Sequence, residues 1–215
     1  MISLALAALL WVAIHIGIAG TRVRDAIAGR LGDGGFRGVF SLLSVGCIAW
    51  LCLAYDRAPF RPLWYPPGWL LWLLAVLMLA ASILFAGSVM TRNPTAIGGE
   101  GAEPRGMALI TRHPMLWSFA IWGFVHVVGN GDLASVLFFG AFLVTALAGM
   151  PSIDAKLAAR NPASWARLAA QTSLMPGGRG WPLARVGAAP FVAGAVLWAA
   201  LFLLHPYVIG VPAVR

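Results

Sequence analysis

"RHPMLWSFAIWGFVHVVGNGD" (residues 112–132), followed at once by "LASVLFFGAFLVTALAGM" (133–150), decides the fold. The spans at 114–129 and 133–150 approach the ~20 helical residues that cross a bilayer core. Only Gly129-Asn130-Gly131-Asp132 separates them, so they form a tight helical hairpin. Four further apolar runs flank the pair, at 2–20, 37–55, 67–90 and 187–208. The whole chain has the same character: 215 residues, 60% hydrophobic and 10% charged, with a mean hydropathy of +0.85. No ordinary soluble domain has that composition. The expected fold is all-α, a polytopic transmembrane helical bundle of about six spans forming one domain over 1–215.

Residues 1–20 lack the basic leader of a signal peptide, and Arg22 and Arg24 follow as a stop-transfer flank, so they read as a retained first helix. Six spans divide the loops between two faces. One face collects Arg22, Arg24, Arg30, Arg37, Arg92, Arg105, Arg112, Lys156, Arg160, Arg167, Arg179 and Arg185; the other holds only Arg57, Arg61 and Arg215. Positive loops stay in the cytoplasm, which predicts a multi-pass protein of a bacterial inner membrane with both termini periplasmic. The formal charge of +8 is then largely a topogenic and lipid-facing signal. Nucleic-acid binding needs a basic face on an ordered module, and no such module is present.

The long loops hold structure of their own. Residues 91–113 carry Pro94, Pro104 and several glycines into the fourth span. In 151–186, "DAKLAARNPASWARLAAQ" places Leu157, Trp165 and Leu168 for an amphipathic helix lying on the cytoplasmic face. "GGEGAEPRG" has neither the preceding strand nor the following lysine of a phosphate-cradling loop, and no inverted repeat suggests a transporter.

The chemical inventory is short. Asp25, Asp33, Asp56, Glu100, Glu103, Asp132 and Asp154 all fall in loops or at span edges, whereas a proton pump or cation transporter buries a carboxylate. Cys47 and Cys52, five apart on one span, face different ways and read as small core hydrophobes. The histidines remain: His15, His113, His126 and His205, all in or near spans. A buried neutral imidazole needs a partner for each nitrogen. With no buried carboxylate expected, those partners are backbone, other side chains or a metal. Imidazole suits iron, copper and zinc; structural zinc takes four ligands, and the spans offer no such set. A haem needs one or two axial histidines and an apolar slot between helices, so haem fits this inventory best. Depth along the helices allows His15 with His113 or His126, and His126 with His205; spacing does not choose.

Several blocks carry a resemblance. "FRGVFSLLSVG" (36–46), the 112–132 stretch, "PSIDAKLAARNPASWARLAAQTSLMP" (151–176), His15 with its downstream arginines, and "LHPYVIG" (204–210) resemble the NnrU family of bacterial membrane proteins over almost the whole chain. That resemblance implies a link to denitrification and nitrogen-oxide metabolism, without naming a reaction. The plant and cyanobacterial zeta-carotene isomerase looks like a relative, and its bis-histidine haem b implies His15 and His126 as iron ligands here. A histidine that the isomerase carries before a Tyr-Asp pair is replaced by Ala54 in "CLAYDRAPF" (52–60), so its role does not carry over. His113, with Arg112 and Arg105 nearby, is then expected at the cytoplasmic mouth, bonding loop backbone or a haem propionate, for which guanidinium is well shaped. With both axial positions filled such a haem is an electron carrier or sensor. With one ligand labile, the iron could take nitric oxide or a hydrophobic polyene, as an oxidoreductase or isomerase.

Two other readings stand beside this one. "RHP" entering a helix and the later "RNPASWARLAAQTSLMP" are similar to the isoprenylcysteine methyltransferases, which implies an S-adenosylmethionine-dependent activity. The chain departs from that group at Met115-Leu116-Trp117, which lacks their tyrosine, and at Asp154, where they carry glutamate. The last reading is non-catalytic, with Pro114 simply opening a helix, Arg112 reaching for headgroups, and the histidines acting as struts.

Overall fold

In the computed structural model the described residues are 1–215 apart from Ile97, Glu100 and Arg215. Glu100 of the glycine-rich segment and Arg215 of the orientation argument therefore lie outside the described residues. Helices are the regular elements of the described chain, which forms no β-strand among the described residues. α1 (Ile2–Val12) continues as a π-helical turn over Ala13–Ile18; then come α2 (Val23–Asp56), α3 (Gly68–Met90), α4 (Pro114–Asn130), α5 (Leu133–Arg160), α6 (Pro162–Gln171), the short α7 (Leu183–Val186) and α8 (Ala189–Val208). α2, α3, α5 and α8 are long and apolar enough to cross a membrane. α4, at 17 residues, and the apolar stretch Ile2–Ile18 sit at the lower length limit for a span.

The helices form a row in the order α8, α3, α4, α5, α1, α2, each packed on the next. Close approach is bought with small residues, the usual device where lipid removes the hydrophobic drive between helices. A Cβ on Gly194 of α8 would stand 2.4 Å from Ile83 Cα on α3, and one on Gly123 of α4 would stand 2.9 Å from the Phe139 carbonyl on α5.

The hairpin forms as its sequence predicts. Gly131 is left-handed (φ 68°) at the end of α4, and the Asp132 side chain caps α5 by accepting from Ser135 N at 3.1 Å. The α2–α3 connection folds over this turn: Leu63 N and Trp64 N donate to the Gly131 carbonyl, and Leu133 N donates to the Arg61 carbonyl.

Two boundaries differ from the sequence expectation. Residues 23–31 are helical, separated from the second span by Gly32 (φ 72°, ψ 162°). Their polar face holds Arg24 against Asp25 and Asp33, and that local pairing is invisible to hydropathy. α5 also passes straight through Pro151 to Arg160. "DAKLAAR" is therefore the extension of a span, and the amphipathic helix is the ten-residue α6, started by the Asn161 cap on Ser164 N.

Candidate functional site

His15 sits on the π turn that ends α1. Such turns are rare and concentrate at functional sites because they re-aim a side chain. Its Nδ1 donates to the Trp11 carbonyl at 2.9 Å. The ring lies 3.9 Å from the Trp11 ring and 5.1 Å, edge to face, from Phe40 of α2. His126 on α4 repeats the arrangement, with Nδ1 donating to the Trp122 carbonyl at 2.8 Å and the ring stacked on Phe139 of α5 at 4.6 Å.

A carbonyl can only accept, so both Nδ1 atoms carry the proton. Each neutral imidazole is thereby fixed in one tautomer with a lone pair on Nε2. Neither Nε2 takes a hydrogen bond among the described residues. This is the state of a metal-binding histidine, whose second nitrogen is tied to a carbonyl.

Phe138, Phe139 and Phe142 of α5 form the wall between the two histidines. Phe142 touches Trp11 at 4.8 Å and Trp122 at 5.5 Å. Helical side chains lean toward the N-terminus of their own helix, and α1 and α4 start at opposite ends of the bundle. That tilt points the two imidazoles along the bundle in opposite directions, each toward its own tryptophan, and Phe142 touches both tryptophans. Among the described residues three buried side-chain polar atoms lack a partner: Trp11 Nε1, Ser44 Oγ on α2 and Thr145 Oγ1 on α5. No group of three or more His, Cys, Asp or Glu side chains that could hold a metal ion occurs among the described residues. The donor set is imidazole alone, which fits a group needing two axial nitrogens and does not fit a tetrahedral structural metal.

His205 near the end of α8 has its Nδ1 on the Val211 carbonyl at 2.5 Å.

Of the remaining sequence-nominated residues, Arg112 and His113 lie in a second polar centre, at the opposite end of the bundle from the termini. The expectation of no buried carboxylate is corrected here: Asp154 is buried. Arg112 grips it through Nε and Nη2, with Nη2–Oδ2 at 2.7 Å, and His113 Nε2 donates to Oδ1 at 2.8 Å. Trp165 of α6 covers the guanidinium at 5.2 Å, Arg112 N donates to the Ser173 carbonyl, and Thr111 Oγ1 and Trp117 Nε1 both donate to the Leu174 carbonyl. Arg112 and His113 thus tie α4, α5, α6 and the 172–174 segment together. Arg105 is apart from them, exposed on the 91–113 segment. The sequence did carry the missed signal: Ala146, Met150 and Asp154 recur every four residues and share the buried face of α5. Reading Pro151 as a helix end concealed it.

No curated protein and no solved structure matches the chain. The family model for NnrU protein matches residues 3–213. The chain belongs to the NnrU family of membrane proteins.

Proposed function

We propose that this protein binds haem b between its transmembrane helices, that His15 and His126 would be the residues to hold its iron, and that it serves nitrogen-oxide metabolism from a bacterial inner membrane. The observation that carries the reading is the pair of free Nε2 atoms, each with its Nδ1 locked on a carbonyl four residues back. Each ring thus keeps one nitrogen, with its lone pair, available to a metal. Membership of the NnrU family supports the nitrogen-oxide setting, and the basic loops support a cytoplasmic face opposite both termini.

A bound haem b supplies a one-electron couple, and an open coordination position if one ligand is labile. The protein's own groups do the rest. The Trp11 and Trp122 carbonyls hold the ligand tautomers, and the phenylalanine wall of α5 excludes water. That wall suits small apolar substrates, of which nitric oxide and a hydrophobic polyene are the two proposed here, for redox or isomerase-type chemistry. Arg112 and His113 act in this reading by fixing the start of α4, and hence the register of His126, while Arg105 is left as the arginine free to meet a propionate.

His126 with His205 is the second pairing, favoured by the same one-sided bonding of His205, whose Nδ1 is held by the Val211 carbonyl. Haem content per chain decides between them, measured as the pyridine haemochrome of purified His15→Ala, His126→Ala and His205→Ala proteins. Loss in the first two with retention in the third is expected. Loss in His205→Ala with retention in His15→Ala would assign the second pair.

A further inference from the structure

At the basic end of the bundle, away from the histidines, two cavities meet. One of about 260 Å³ lies between the α5 extension, α6 and the 91–113 segment, and includes Arg160 and Arg167. The other, of about 470 Å³, includes Arg92 and Arg105. Both share Ala102 and Glu103, so they form one trough. Its described charged lining is four arginines against the single carboxylate of Glu103.

Arg92 is engaged with the Gly98 carbonyl. The side chains of Arg105, Arg160 and Arg167 make no hydrogen bond or ion pair among the described residues. Beside them the floor is apolar, with Leu157, Trp165 and Leu168. Unpaired guanidinium groups above a greasy floor fit an amphiphile with an anionic head.

Depth identifies which amphiphile. α5 has 28 residues, about 42 Å of helix, against a hydrocarbon core of about 30 Å. Its last two turns, carrying Leu157 and Arg160, therefore emerge at the level of lipid headgroups. Basic pockets beside spans at that level select anionic lipids.

The geometry points to a binding site for the phosphate headgroup of an anionic phospholipid in the trough between α5, α6 and the 91–113 segment, with Arg160 and Arg167 as the principal phosphate partners. Trp165 links this trough to the Arg112–Asp154 centre, because it lines the one and covers the other. The assignment is independent of haem.

The test is native mass spectrometry of the full-length protein in detergent, with phosphatidylglycerol and phosphatidylcholine added in turn. The wild type is expected to retain phosphatidylglycerol over phosphatidylcholine by on the order of tenfold. An Arg160→Gln/Arg167→Gln protein loses that preference, Arg160→Lys/Arg167→Lys keeps most of it, and Arg57→Gln/Arg61→Gln, neutralised at the opposite end, behaves as wild type. Equal retention of the two lipids by the wild type overturns the assignment, as does equal loss in both neutralised proteins. A competition arm separates the sources: if millimolar inorganic phosphate empties the site as readily as added phosphatidylglycerol, the trough reads free phosphate and the lipid assignment fails.

Discussion

Asp154 is held by Arg112 and His113 in a setting where His113 is enclosed and the two charged side chains keep little exposure. Deleting one member of a buried pair strands the other charge, at a cost of roughly 3–5 kcal/mol. Asp154→Ala should therefore lower the thermal unfolding temperature in detergent sharply. Asp154→Asn, which still accepts a hydrogen bond, should do so less; identical melting of all three proteins would remove the centre from the account. At this scale the four histidines were legible in the sequence because they are conspicuous in an apolar chain. What each nitrogen does was not legible, since a carbonyl four residues back is present on any helix. The role of Asp154 was hidden by a single residue: Pro151 lacks an N–H, yet the helix absorbs that loss and carries the carboxylate inward.

Elements were easier to read than their ends. All six apolar runs became helices, and the Gly129–Asp132 turn emerged with the left-handed glycine and aspartate cap that its composition called for. Residues 23–31 escaped because their helix rests on Arg24 pairing with Asp25 and Asp33 and on a glycine break, not on an apolar stripe. Packing between elements depends on glycines whose purpose no single sequence reveals. Gly194→Ala places a methyl group 2.4 Å from Ile83 backbone, so α8 must move off α3. A loss of about 1–3 kcal/mol is expected, read as reduced resistance to denaturation in mild detergent. Gly17→Ala on the π turn meets nothing within 4 Å and should be silent in the same assay. If Gly194→Ala is equally silent, the α3–α8 contact is looser than described.

At the scale of the whole molecule, the row of helices leaves α5 as the shared wall for α1 and α4, so two histidines 111 residues apart in sequence lie on helices that pack on the same neighbour. The proposed orientation predicts that a cysteine at Arg61 is labelled by an impermeant thiol reagent from the periplasm, and one at Arg167 only after the membrane is opened; the reverse pattern would invert the protein. A Cys52→Ala background is appropriate, because Cys52 is exposed whereas Cys47 is buried. The central claim is that the paired imidazoles hold haem. Its most direct test is the visible absorption spectrum of the purified protein expressed with haem supplied, oxidised and then reduced with dithionite. The account predicts a Soret band with sharp reduced α and β bands, lost in His15→Ala and His126→Ala. A wild-type protein that is folded yet shows no Soret band would contradict it.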